Sequence, residues 1–210
     1  MLGEPNSVRQ AERRAETRRE ILDAAWDIAR EKGLAAITLR DVAARVGMRA
    51  PSLYTHVDSK HAIYDAMFGQ AWAECLRVCE AALVRAPGDV RGDLRLGART
   101  FFDFAVADLP RHQLMNLRTI PGFEPTPEAY APAVAVMDLT RDLFARHGVT
   151  APEDLDLYVA VVGGLVDSQH ANDPGGTRWG RLLERAVDMF LDNLDLRGTA
   201  AAGTSRKDTS

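Results

Sequence analysis

The chain has 210 residues, of which 46% are apolar, so it is long enough for one small and one larger folded domain. Two cysteines are too few for a disulfide framework, no apolar run approaches the roughly 18 residues of a transmembrane helix, and the N-terminus is charged rather than built like a signal peptide. These features exclude a disulfide-rich secreted domain and a membrane-spanning protein, and they predict a cytoplasmic location. The net charge is −4, but residues 1–60 carry a small basic excess, which favours that end as a surface for nucleic acid.

The N-terminal residues lack helical periodicity, and we expect residues 1–13 to form a flexible arm. Arginines cluster where this arm meets the first helix and could reach DNA phosphates or a minor groove. The alternative is a solvated helix face on which interleaved glutamates pair with them. The arginines are Arg9, Arg13, Arg14, Arg18 and Arg19, and the glutamates are Glu12, Glu16 and Glu20. An apolar stripe from Ile21 to Ala29 then predicts a packed helix, which Gly33 ends.

The stretch Thr38–Lys60 predicts two short helices joined by a tight turn. Thr38 supplies a hydroxyl cap, and Gly47 ends the first helix where a left-handed residue is needed. A second helix over residues 49–56 tolerates Pro51 because a proline in the first turn breaks no hydrogen bond. Leu53 would anchor this helix on the first one. The pattern is that of a helix-turn-helix, whose second helix enters the major groove of DNA.

The side chains of this stretch suit the two kinds of contact that such a motif makes with DNA. Thr38, Ser52 and Lys60 are predicted to lie on phosphates, whereas Arg40 and Arg49 are the best candidates for a guanine edge. The full set of predicted DNA-binding residues is Thr38, Arg40, Arg49, Ala50, Pro51, Ser52, Tyr54, Thr55, His56 and Lys60.

Residues 14–68 resemble the DNA-binding domain of the TetR (AcrR-type) family of bacterial regulators. The resemblance rests on a first helix ending AREKGLAAIT, on the helix LRDVAARVG, and on Leu53-Tyr54-Thr55-His56 running into Ser59-Lys60. It implies a homodimer whose recognition helices enter successive major grooves. It also implies a C-terminal helical domain that binds a small molecule and thereby releases the DNA.

Lys60 opens a long predicted helix that reaches about Arg85 and would link the two domains mechanically. Cys75 and Cys79 lie four residues apart on this helix, where core thiols are favoured over a redox sensor. No strand-like alternation follows. We therefore predict an all-α protein with a DNA-binding domain at 14–60 and a helical ligand-binding and dimerisation domain at 61–197.

The second half of the chain contains a proline-rich segment and two long apolar helices. The segment PGFEPTPEAYAP cannot be one continuous helix and is expected to fold over the domain as a lid-like or flanking segment. The resemblance assigns the dimer interface to the last two helices, at about 153–173 and 177–196. Gly163-Gly164 within the first of them suggests the close approach of another helix or a ligand. We expect residues 198–210 to form a disordered tail.

Ligand-contact candidates come from the middle of the larger domain, where aromatic, thioether and hydrogen-bonding groups should converge. Core packing is the competing explanation for the apolar ones, whereas buried polar side chains need partners. The candidates are Phe101, Phe104, Leu114, Met115, Phe123, Tyr130, Met137, Gln169 and His170.

Catalysis is not expected from this sequence. Asp167, Ser168 and His170 share one helix and cannot align as nucleophile, base and orienting group. The histidines lack metal-ligand spacing and no glycine-rich phosphate loop follows a strand, so we predict neither a metal nor a cofactor. The predicted function is a ligand-responsive repressor that acts on a DNA operator at the nucleoid. The alternative is a ligand-independent DNA-binding regulator or scaffold whose C-terminal domain only dimerises.

Overall fold

The computed structural model describes the backbone of residues 4–204 and the side chains of residues 9–194. Every regular element in that part of the chain is a helix, as the sequence predicts. None of these helices combines the length and the apolar character that a membrane span requires. The helices are α1 (Glu4–Lys32), α2 (Leu39–Arg45), α3 (Ala50–Leu53), α4 (Lys60–Leu83), α5 (Val90–Val106), α6 (Leu109–Asn116), α7 (Pro127–Arg146), α8 (Pro152–Asn172) and α9 (Leu183–Thr204).

Polar caps and glycines set the helix ends. The Asp89 carboxylate accepts the N–H of Gly92 at 2.9 Å and starts α5, and Asp108 does the same for α6 by accepting the N–H of Arg111 at 3.1 Å. Gly47, with φ of 70°, takes the left-handed conformation after α2 that favours glycine.

The chain folds into two compact units. The first contains everything up to Glu74 together with Asp108–Ala133, and the second contains Cys75–Ala107 and everything from Val134 onward. This division differs from the predicted domain boundary at residue 60, because α4 and α7 each supply residues to both units. The core of the first unit contains several fully buried side chains, which are Ile21, Ile28, Ile37, Leu53, Ile63 and Met67.

The second unit packs α5, α8 and α9 around an aromatic centre. The rings of Phe144 and Tyr158 meet edge to face with centroids 5.1 Å apart, and Phe190 packs on both. Tyr158 donates its buried hydroxyl to the carbonyl of Leu94 at 2.7 Å, so its polar atom has a partner inside the core. The core of the second unit is therefore built from packed aromatic rings, with the one buried hydroxyl among them hydrogen-bonded.

A buried carboxylate ties the loop before α5 to the end of α7. Burial raises the pKa of Asp93, but the N–H of Gly88 at 2.8 Å and the ring Nε2 of His147 at 2.9 Å outweigh burial, so the pKa lies below its usual value. The carboxylate is therefore charged at neutral pH, and its partners compensate the cost of burying it.

Three expectations about local structure are wrong. Residues 4–13 do not form a flexible arm, because they are the first turns of α1. Residues 198–204 do not belong to a disordered tail, because α9 continues to Thr204. The recognition helix is a single α-helical turn, Ala50–Leu53, followed by a turn over residues 54–56, instead of a helix over 49–56. Residues 1–3 and 205–210 of the predicted arm and tail lie outside the described residues.

Candidate nucleic-acid interface and a neighbouring cavity

The helix-turn-helix is held together by a cap and an apolar anchor. The Thr38 hydroxyl accepts the N–H of Asp41 at 3.1 Å and donates to its carboxylate at 2.7 Å, which fixes the start of α2. Leu53 is fully buried, as is Val42 on α2. The N–H of Val57 bonds to the Leu53 carbonyl at 3.0 Å, so the chain stays helix-like just beyond α3. This packing fixes the orientation of the recognition turn.

Most of the predicted DNA-binding side chains are exposed, as direct readout requires. Tyr54 exposes 53% of its surface, whereas Ala50, His56 and Lys60 are half-buried. Neither Arg40 nor Arg49 takes part in an ion pair with another of the side chains described for residues 9–194. The exposed members are Thr38, Arg40, Arg49, Pro51, Ser52, Tyr54 and Thr55.

Arg45, the third arginine of this stretch, is neutralised within the unit. Its guanidinium donates two bonds to the Glu31 carboxylate, at 2.8 and 2.6 Å. Hydrogen bonding to Arg45 lowers the pKa of Glu31, so the pair stays charged at neutral pH. The pair joins the end of α1 to the end of α2. Of the three arginines in this stretch, Arg40 and Arg49 are therefore the two left for an anionic partner.

Lys60 has a partner in the protein that its sequence position does not reveal. Its ammonium donates to the carbonyl of Ala35 at 2.8 Å and lies 5.4 Å from the centroid of the Tyr64 ring. Tyr64 in turn donates its hydroxyl to the carbonyl of Leu34 at 2.7 Å. Both bonds fasten the start of α4 to the short 3-10 helix Leu34–Ala36 that precedes α2. An ammonium has three donors, so a phosphate contact by Lys60 stays a prediction.

A cavity of about 500 Å³ lies in the first unit, bounded by α4, α6, the proline-rich segment and the start of α7. Four of the nine predicted ligand contacts line it, namely Leu114, Met115, Phe123 and Tyr130. Its volume suits a drug-sized molecule. The complete lining is Phe68, Leu114, Met115, Asn116, Leu117, Arg118, Ile120, Phe123, Glu124, Pro125 and Tyr130.

Three aromatic residues of the cavity wall, Phe68, Phe123 and Tyr130, form a cluster that continues to the first turns of α4. The Phe68 ring stacks on Tyr130 with an interplanar angle of 11° and centroids 6.0 Å apart. The ring centroid of Phe123 lies 6.4 Å from that of Phe68 and 5.7 Å from that of Tyr64. Sequence reasoning missed Phe68 as a lining residue because it reads as core in a helical stripe. The proline-rich segment thus brings Phe123 against the part of α4 that is fastened to the helix-turn-helix.

The segment that follows the cavity is held in place by a carboxylate on α4. Asp65 accepts the N–H of Thr126 at 2.7 Å and its hydroxyl at 3.0 Å. Arg118 and Glu124, which also line the cavity, have no ion-pair partner among the side chains described for residues 9–194. The cavity therefore offers a ligand one unneutralised charge of each sign beside aromatic and aliphatic side chains.

The other five predicted ligand contacts lie in the second unit and do not line this cavity. Phe101 and Met137 pack against that unit's core, and Phe104 is buried. The Gln169 side chain accepts the N–H groups of Trp179 and Gly180, at 3.0 and 3.3 Å. The ring Nε2 of His170 lies 3.1 Å from the carbonyl of Ala105. Both polar side chains thus have partners within the fold, and a ligand contact by any of the five stays a prediction.

The helix α8 has two apolar faces. One packs in the core through residues such as Val162 and Val166. The opposite face is exposed and includes Leu157 at 43% and, two turns later, Gly164. A Cβ added at Gly163 or Gly164 would meet nothing within 4 Å, so no other described part of the chain requires these glycines. On α9, Met189 is 64% exposed. An apolar surface of this kind is typical of a contact with another chain.

These features define a protein that is helical throughout its described residues, with a helix-turn-helix and a cavity beside α4 in the same unit. Residues 21–67 match the family model described as bacterial regulatory proteins, tetR family. The tetracycline repressor protein class A from transposon 1721 of Escherichia coli is 26% identical over 182 residues, covering 81% of this chain and 79% of that protein. Residues 21–67, the segment that contains the helix-turn-helix, are therefore similar to the matching segment of TetR-family regulatory proteins.

Solved structures share the fold over nearly their whole length. The structure of SCO4313 is 22% identical, covers 87% of this chain and 98% of its own, and superposes with a TM-score of 0.74. The TetR family transcriptional regulator PfmR from Thermus thermophilus is 23% identical. The match covers 82% of this chain and 97% of PfmR, with a TM-score of 0.61. At these identities the likeness concerns the fold alone.

Proposed function

We propose that this chain is a ligand-responsive repressor that binds a near-palindromic operator as a homodimer and is released by a small, largely apolar effector. The observation that carries the DNA-binding part is the pair Arg40 and Arg49, exposed and unneutralised on a helix-turn-helix whose other arginine is paired. Such a regulator would act on the chromosome in the cytoplasm. Thr38, Ser52 and Lys60 would contact phosphates, whereas Arg49 and Tyr54 would face the major groove.

The exposed apolar faces of α8 and α9 support dimerisation through the last two helices, at about 153–173 and 177–196. Apolar surface outside the core is unfavourable in water, and a second copy would cover it. Gly164 would let the backbones of two facing helices approach closely. A symmetric dimer would present two recognition turns to the two halves of a palindromic operator.

The cavity supports an effector-responsive regulator over the alternative of a scaffold whose C-terminal domain only dimerises. Eight of its eleven lining residues are aromatic or aliphatic, and Asn116, Arg118 and Glu124 add polar groups. A planar, mostly apolar molecule with one polar or charged end would fit that wall. Phe123 also touches Tyr64, so an occupant that moves Phe123 would act on the hydrogen bond between α4 and Leu34.

A binding titration tests the regulator directly. Fluorescence anisotropy with the intergenic DNA upstream of the protein's own gene, at two salt concentrations and against a scrambled duplex, measures selective affinity. We expect selective binding that weakens as salt rises. Equal binding to both duplexes would contradict an operator-specific regulator.

Replacing Arg49 by alanine is expected to weaken operator binding by about 1 to 3 kcal/mol and to relax discrimination at one base pair, because a bidentate contact to guanine would be lost. The measurement is the affinity for the operator and for single-base variants of it. Lys60→Ala is the comparison, since loss of a phosphate contact weakens all sequences alike. Equal losses on operator and random DNA for Arg49→Ala would contradict base reading.

Replacing Phe123 by alanine is expected to weaken binding of 1-anilinonaphthalene-8-sulfonate, a planar aromatic anion, by about tenfold, or roughly 1.4 kcal/mol, because an aromatic wall of the cavity is removed. Fluorescence titration of the dye measures the affinity. Phe101→Ala removes the same side chain from the second unit, away from this cavity, and should leave the affinity within twofold of the unchanged protein. If Phe101→Ala weakened dye binding and Phe123→Ala did not, the effector site would lie in the second unit instead.

A further inference from the structure

The N-terminal helical extension, residues 4–20, precedes the packed part of α1. The match to the family begins at Ile21, which is also the first fully buried residue of the helix. From Arg9 to Glu20, every described side chain is exposed except the half-buried Thr17. The extension is therefore an addition to the domain that its core does not require.

The arginines of this extension are not neutralised by its glutamates. None of the five forms an ion pair or a side-chain hydrogen bond with any other residue whose side chain is described, 9–194. The sequence alone allowed the opposite, a solvated face of paired charges. Five cations against three acids in residues 9–20 thus remain available to an external anion.

Arg14 and Arg18 differ from the others in their helical neighbours. No carboxylate lies three or four residues from either of them, whereas Arg9, Arg13 and Arg19 each have an acidic residue at such a position. Arg14 and Arg18 are separated by about 40° around the axis, and they continue the face that Ala25 buries lower down. Their mutual repulsion disfavours the free helix and would be relieved by an anion.

The composition of the extension selects a polyanion as its partner. A membrane-surface helix needs large apolar residues opposite its cations, and a coiled-coil partner needs an apolar stripe. Between Arg9 and Glu20 the apolar residues are Ala11 and Ala15 only, which are too small for either role. The extension belongs to the same compact unit as the helix-turn-helix. The polyanion that this unit would bind is the phosphate backbone of the operator.

We infer that Arg14 and Arg18 of the N-terminal helical extension contact DNA phosphates outside the segment read by the helix-turn-helix. This inference rests on the proposed function, since it extends the footprint of the same complex. Because phosphate contacts carry no sequence information, the extension adds affinity and salt dependence without changing which operator is chosen.

The test compares two double variants of the full chain that remove the same charge from the same helix. Arg14→Gln with Arg18→Gln should lower the slope of log affinity against log salt by up to about 3.6 in a dimer, from about 0.9 for each of four phosphate contacts. Operator and random duplex should lose affinity in the same proportion. Arg9→Gln with Arg13→Gln, which lie among glutamates, should change the slope by less than about 1.

Circular dichroism should show the same thermal midpoint for both variants, since the replaced side chains are exposed. An unchanged slope in Arg14→Gln/Arg18→Gln, or equal reductions in the two variants, would overturn the inference. Loss of binding to phosphatidylglycerol vesicles with an unchanged DNA slope would overturn it in favour of a membrane surface. Failure of the unaltered protein to bind any DNA would overturn the proposed function, which is a separate outcome.

Discussion

Replacing Leu53 by alanine is expected to destabilise the protein by about 2 to 5 kcal/mol and to abolish operator binding. Leu53 is fully buried and is the only buried side chain of α3, so its loss leaves a cavity beneath a helix of one turn. Urea unfolding followed by circular dichroism measures the stability, and anisotropy measures DNA affinity.

Leu109→Ala provides a control in the same unit, because Leu109 is 42% exposed. It should cost less than about 1 kcal/mol and leave operator affinity unchanged. If Leu53→Ala kept wild-type stability, α3 would not depend on this anchor. Retention of operator affinity would contradict the assignment of α3 as the DNA-reading element.

Replacing Gly164 by glutamate is expected to convert the proposed dimer into monomers while the fold of each subunit is kept. A Cβ at this position meets nothing within 4 Å in the subunit, and glycine is a poor helix former, so the subunit should gain up to about 1 kcal/mol. In the dimer the same change would bury a charge between two helices. Operator affinity should then fall about 100-fold or more, roughly 2.8 kcal/mol, because two linked half-site contacts become independent.

Analytical ultracentrifugation at micromolar concentration, together with anisotropy, measures both effects. Ala145→Glu introduces the same charge at an exposed position of α7 and should leave the dimer and the operator affinity intact. A dimer that survives Gly164→Glu would show that α8 does not form the interface in the proposed way.

The sequence predicts the helix-turn-helix well because its determinants are local. A capping hydroxyl at Thr38, a left-handed glycine at residue 47 and one anchoring leucine each act within a few residues, and the structure contains all three features. The hydrogen bond of Lys60, by contrast, could not be predicted from local sequence. Its bond to Ala35 spans 25 residues, and no periodicity of either segment encodes such a pairing.

The candidate cavity could be predicted only in part, for a similar reason. Leu114 and Phe123 are recognisable as apolar groups near a proline-rich turn, but the inclusion of Phe68 depends on how that turn folds back on α4. Gln169 is a buried amide whose oxygen accepts from N–H groups ten and eleven residues away, in the turn after α8. A buried polar side chain implies a hydrogen-bond partner, but the sequence does not indicate whether that partner belongs to the protein or to a ligand.

Because α4 and α7 each contribute residues to both compact units, genetic recombination between related regulators could not exchange the DNA-binding unit as one continuous segment. A polypeptide ending at Glu74 would lack Asp108–Ala133, and with it the aromatic neighbours Phe123 and Tyr130 that cover Phe68. The DNA-binding unit is therefore discontinuous in the gene. Exchange of operator specificity between relatives by a single crossover would separate residues that pack together, whereas replacement of residues 38–57 alone would leave both crossing helices intact.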